Sequence, residues 1–173
     1  MPIKVAILTI STRGSRGERE DTSGATIKEL VKQIDAEVVD YQIIADDKKE
    51  IVWHLKRLVE AVKADLILTT GGTGLSPTDV TPEATIEVIE RRAPGFEEVM
   101  RMTGLKHTPY AMLSRAVAGI CEKSLIINLP GSPTAVRENL EAILPVLPHA
   151  IEILKGRQVQ DSEHSRRQIK TGK

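Results

Sequence analysis

Four apolar runs of strand length, separated by segments of helical periodicity, constrain this chain more than any other feature. Lys4 to Ile10 reads as a buried strand, Glu37 to Ile44 as a second, Asp65 to Thr70 as a third, and SLIINLP from Ser124 as a fourth. Between the first two, Ile27, Leu30, Val31 and Ile34 follow the i, i+3, i+4, i+7 spacing of one helix face, with Thr22 or Ser23 available as N-cap. Ile51, Leu55, Leu58, Val59 and Val62 repeat that periodicity before the third strand. Thr81 with Pro82 at the first helical position opens another helix, and Ser132-Pro133 opens one that runs through Val136, Leu140, Ile143 and Leu144. Strands alternating with helices predict an α/β fold with right-handed crossovers and a mainly parallel sheet covered on both faces.

At 173 residues the chain has the usual size of one domain and can bury about 70% of its unfolded surface. Trp53, Tyr41, Tyr110 and Phe96 are the only aromatics, so aliphatic side chains must fill the core, and a base-stacking platform is not expected. Lys and Arg balance Asp and Glu, 24 against 24, which argues against a nucleic-acid binder. The lone Cys121 forms no internal disulfide and fits a reducing cytosol. The four histidines show no metal-binding spacing, and the apolar stretch after Met1 is too short to span a membrane. A soluble, cytoplasmic protein is expected, with one domain over residues 1–155 and a polar tail over 156–173, where apolar periodicity is lost.

In open α/β sheets ligands bind beyond the carboxyl ends of the strands. Four loops leave such ends: Ser11 to Gly24, Ala45 to Lys49, Gly71 to Thr81, and Pro130 to Pro133. The third, in TTGGTGLSPTDVTPEAT, is the most distinctive. Gly71, Gly72 and Gly74 allow positive φ and a close approach of N–H groups to a ligand, and Thr70, Thr73 and Ser76 add hydroxyls. An anion suits such a loop, although a plain tight turn needs the same glycines. The segment is not a P-loop, because it lacks the lysine, and Pro77 falls where a dinucleotide fingerprint needs its third glycine.

Asp79 sits beside this loop and would repel an anion unless a cation lay between them. Magnesium, which binds through one or two carboxylates plus substrate phosphates, is the expected ion. Asp46 and Asp47, in the preceding strand-end loop, can each supply a second carboxylate; a helix cap is the plainer use for any of the three.

TTGGTG followed by DVTPEAT, then PGF at Pro94 to Phe96, MLSRAVAG at Met112 to Gly119 and NLPGSP at Asn128 to Pro133 closely resemble the MoaB/Mog family of molybdenum cofactor biosynthesis, the molybdopterin adenylyltransferases. The similarity runs from about Ile3 to Leu154. It implies a three-layer α/β/α fold, a homotrimer or hexamer, and transfer of AMP from Mg-ATP to the terminal phosphate of molybdopterin. Other molybdenum cofactor biosynthesis proteins are conceivable partners. A phosphate monoester is mostly dianionic near pH 7, its second pKa being about 6, so the reaction needs placement and charge neutralisation more than a strong base. The resemblance assigns catalytic and magnesium-binding roles to Asp46 and Asp79, favouring Asp46 over Asp47. It assigns substrate binding to Thr70, Gly71, Gly72, Thr73 and Gly74, with Ser114, Gly131 and Ser132 on another wall. Ser132 also reads as an N-cap, and Ser114 with Arg115 as ordinary helix surface.

Two positions depart from the family pattern. Thr12 follows Ser11 where many relatives carry aspartate, and Thr78 precedes Asp79 where many carry arginine. Nucleotide contacts, expected from Ser11 and Arg13, are therefore expected to differ, with Arg13, Arg16 or Arg19 supplying positive charge. The alternatives are a relative that binds molybdopterin without adenylylating it, and a scaffold or interaction domain.

Overall fold

The computed structural model describes residues 1–156, so most of the expected tail lies outside the described residues. The four expected strands are β1 (Ile3–Ile10), β2 (Ala36–Ile44), β3 (Leu66–Thr70) and β6 (Ser124–Leu129). Two short strands, β4 (Arg91–Arg92) and β5 (Ala118–Cys121), were not apparent from the apolar pattern. The helices are α1 (Thr12–Ser15), α2 (Thr22–Leu30), α3 (Lys48–Glu60), α4 (Thr81–Val88), α5 (Pro94–Leu105), α6 (Pro133–Ile143) and α7 (Leu147–Leu154).

Sheet order is β2-β1-β3-β6-β5-β4. β2, β1, β3 and β6 run parallel, and β5 and β4 extend the sheet antiparallel. The twofold alternation of side chains along the central strands divides the core. Val5, Ile7, Leu66, Leu68, Leu125 and Ile127 pack on one face with Ile27 of α2, Met100 of α5, Leu140 of α6 and Ile151 of α7. Ala6, Leu8, Ile67 and Ile126 pack on the other with Ile51 and Leu55 of α3 and Ala84 and Val88 of α4. The result is the expected three-layer α/β/α sandwich.

Helix starts differ locally from the pattern-based expectation. The N-cap of α2 is Asp21, whose Oδ1 accepts from Gly24 N at 2.8 Å, so neither Thr22 nor Ser23 caps it. Its last turn tightens into a 3-10 segment over Val31–Gln33, which places Ile34 outside the helix. Thr81 is the first residue of α4 and Pro82 follows it, with Val80 at the cap position.

Candidate functional site

β1 and β3 are neighbours, yet the connection leaving β1 runs to β2 on one side and that leaving β3 runs toward β4 on the other. This is the switch point at which an open parallel sheet forms a crevice. A cavity of about 380 Å³ opens there. Ser11 and Gly14 line it from the loop after β1, Asp46 from the end of β2, Thr70 to Gly72 from β3, and Gly131 and Ser132 from β6. Arg19, Glu20 and the start of α2 complete the wall.

The glycine wall requires glycine. Gly71 and Gly72 have φ of 94° and 67°, a region that costs an L-residue roughly 1–2 kcal/mol. A Cβ at Gly71 would also collide with the carbonyl of Ile10, and one at Gly72 with the hydroxyl of Thr81. That hydroxyl is fully buried and donates to Gly71 O at 2.9 Å. Two more hydroxyls tie the walls together: Thr70 Oγ1 donates to Pro130 O and Ser23 Oγ to Gly131 O, each at 2.6 Å. Ser132 caps α6 by accepting from Ala135 N at 3.2 Å, so this helix starts at the cavity and turns its positive end toward it.

The carboxylates near the crevice have different work. Asp46 is half-buried, and its Oδ2 accepts from both Thr12 N at 2.9 Å and Thr12 Oγ1 at 2.8 Å. Asp46 N in turn donates to Thr12 Oγ1 at 3.1 Å. Thr12, the departure from the family pattern, thus clasps Asp46 through Oδ2. Asp47 is exposed and caps α3, accepting from Glu50 N at 2.9 Å. Asp21 also lines the cavity, but Oδ1 caps α2 and Oδ2 accepts from Thr9 Oγ1 at 2.6 Å and from the Tyr41 hydroxyl. Burial, then the bond to Asp21, raise the Tyr41 pKa well above its ordinary value, so this donor keeps its proton. With its oxygens so engaged, Asp21 shapes the wall rather than offering a ligand site.

Asp79 is placed differently. It does not line the cavity; its Oδ2 accepts from Ser76 N at 3.0 Å within its own exposed loop. Thr73 and Gly74 also stand outside the lining, and Ser114 faces an adjacent hollow of about 210 Å³ beyond Pro130. Ser11 lines the cavity, with its Oγ accepting from Gly14 N at 3.0 Å. Arg13 is exposed and stands apart from the lining, whereas Arg19 contributes to it. Ser114 and Arg115 are not helical; they lead from a 3-10 turn (Pro109–Leu113) toward β5. Sequence reasoning left out Asp21 and Glu20 and gave Ser23 only a capping role, although all three fall in the first strand-end loop. The three-residue interval from Asp21 to Gly24 was the available signal for the cap.

Residues 6–149 match the family model described as "Probable molybdopterin binding domain". The chain belongs to this molybdopterin-binding domain family. It is 44% identical over 163 residues to a molybdopterin adenylyltransferase of Helicobacter pylori (strain J99), the match covering 93% of each chain. It is similar to the crystal structure of the molybdopterin biosynthesis enzyme MoaB from Thermus thermophilus, with a TM-score of 0.85 and 49% identity, covering 89% of this chain and 97% of that one. Gephyrin of Dictyostelium discoideum is 42% identical over 176 residues, covering 94% of this chain but only 24% of gephyrin.

Proposed function

We infer that this chain transfers AMP from ATP to the terminal phosphate of molybdopterin, releasing pyrophosphate, as a step of molybdenum cofactor biosynthesis. One observation carries the reading. A cavity walled by glycine backbone, hydroxyls and the Asp46 carboxylate occupies the sheet's switch point, in a chain that matches a molybdopterin adenylyltransferase along almost its whole length. Such a wall suits two anionic reactants, because amides and a helix start bind phosphate without a general base.

In this reading the Gly71-Gly72 backbone and the Gly131-Ser132 turn hold phosphate oxygens and align them, which is the main catalytic demand of phosphoryl chemistry. Ser11 and Arg19 face the nucleotide, and the neighbouring hollow beside Ser114 gives the second substrate room. Asp46, with one oxygen clasped by Thr12, fits a magnesium ion that keeps water and phosphate oxygens as its other ligands. Such an ion, when bound, neutralises phosphate charge. Asp79 acts from the rim.

We further propose a cytoplasmic homotrimer or hexamer. In its favour, Met102, Leu105, Tyr110 and Met112 stand exposed on α5 and the turn after it, and no helix among the described residues is long and apolar enough to cross a membrane. Sedimentation of the purified chain tests the assembly.

The decisive assay follows pyrophosphate release from ATP with and without molybdopterin. Release that requires molybdopterin and magnesium is expected. Binding of molybdopterin without release would instead favour a non-adenylylating relative.

A further inference from the structure

Arg115 makes four contacts to one short stretch of chain. Its backbone N–H donates to Thr73 O at 2.8 Å, Nε to Gly74 O at 2.8 Å, and Nη2 to Asp79 O at 2.7 Å. Nη1 pairs with Glu83, in the first turn of α4. Burial alone would raise the Glu83 pKa, but the bond to Arg115, a backbone hydrogen bond and the charges of Arg115 and Lys48 together outweigh it, so the carboxyl lies below its ordinary value and the pair is ionised at neutral pH. Three of the five guanidinium N–H donors are therefore committed to the protein. The guanidinium reaches both sides of the Leu75–Thr78 excursion, whose four residues are exposed.

Few other bonds hold this excursion. Asp79 N donates to Ser76 O at 2.9 Å and Ser76 N to Asp79 Oδ2 at 3.0 Å, which closes the turn on itself but does not attach it to the sheet. Thr81 anchors only the base, through Gly71 O and Gly72 O. The planar fork of Arg115 spans two carbonyls at fixed separation, which a lysine's single ammonium cannot reproduce. Arg101 in turn donates to the carbonyls of Ser114 and Ala116, steadying the segment from which Arg115 reaches.

We propose that Arg115 is a positioning residue for Asp79, setting where that carboxylate stands relative to the cavity and taking no part in binding phosphate itself. The proposal rests on the adenylyltransferase reading above. An arginine that binds an anionic substrate directs its fork at the ligand; here each guanidinium nitrogen already donates one N–H to the loop or to Glu83, three of the five donors.

A double-variant cycle on kcat and KM tests it, with pyrophosphate release as the readout. Arg115→Lys keeps the charge and loses the fork. It is expected to lower kcat by up to about tenfold, the loss expected when the Asp79 carboxylate itself is removed, with KM for ATP and molybdopterin little changed. In the Asp79→Asn background the same substitution is expected to cost little more, because the group it positions is already gone. Arg115→Lys with wild-type kcat, a loss confined to KM, or losses that multiply in the double variant would each overturn the positioning role. Arg115→Gln serves the same cycle if the lysine variant does not fold. A wild-type protein that releases no pyrophosphate would overturn the adenylyltransferase reading instead, so the two failures are distinct.

Discussion

Asp46 and Asp79 both follow a strand at the same end of the sheet, yet they are held by opposite means. Asp46 ends a short connection and is gripped through its carboxylate by the backbone and hydroxyl of Thr12, inside the cavity. Asp79 ends a long exposed loop and is gripped through its backbone, by Arg115, while its carboxylate satisfies a neighbouring amide. A carboxylate fixed by its own oxygens is pre-organised for a ligand. One whose oxygens bond only within its own exposed loop owes its position to everything that holds the loop. Function should therefore fail at the first position by loss of a group and at the second by loss of placement.

The largest expected effect is at Asp46. Asp46→Asn retains an acceptor for Thr12 but removes the charge, and kcat for pyrophosphate release is expected to fall about 100-fold or more with no change in melting temperature. A fully active variant would remove Asp46 from the reaction and leave the clasp as a structural joint.

Gly72 comes next, because it anchors the loop that carries Asp79. A Cβ there meets a left-handed backbone and the buried Thr81 hydroxyl together, so Gly72→Ala is expected to lower unfolding stability by about 2 kcal/mol. Gly17 provides the contrast: its φ is 73° with nothing within 4 Å of an added Cβ, so Gly17→Ala should cost only the backbone share, about 1 kcal/mol. Equal urea midpoints for the two variants would show that the Thr81 contact contributes nothing.

Much of this arrangement was legible beforehand, and the limits are instructive. The parallel strands announced themselves because strands covered on both faces read as apolar runs, and the glycine loop because positive φ leaves few alternatives to glycine. β4 was silent: two exposed arginines carry no apolar pattern, and their pairing with β5 depends on the sheet edge already being present. α5 was missed despite Pro94 in its first turn, since it buries Met100 while leaving Val99, Met102 and Leu105 exposed. Within the site, spacing identified which loops converge but not which atoms meet. Thr12 read as a lost aspartate and Arg115 as surface; both make contacts to residues more than 30 positions away, which no local pattern encodes.

A smaller loss is expected at Asp79. Asp79→Asn preserves the acceptor for Ser76 N, so the loop should keep its shape, and kcat should fall about tenfold, equivalent to about 1.4 kcal/mol. A loss equal to or above that of Asp46→Asn would mean that the rim carboxylate moves into the cavity during turnover. The comparison between the two positions would then describe only the resting protein.

The smallest effect distinguishes neighbours. Asp47 adjoins Asp46 in sequence, yet its extended backbone, φ −123° and ψ 122°, directs its side chain to cap α3 through Glu50 N. Asp47→Ala removes one acceptor from a helix start that then relies on water, and such a loss typically costs about 1 kcal/mol. α3 packs Ile51, Leu55 and Leu58 into the core, so the helix itself should survive and the cost should appear as a lower denaturation midpoint. Turnover at a temperature where the variant stays folded is expected to match the unsubstituted protein. If Asp47→Ala instead reduced kcat as far as Asp46→Asn does while the midpoint held, the Thr12 clasp would not be what selects the working carboxylate. The site would then have to be rebuilt around the start of α3.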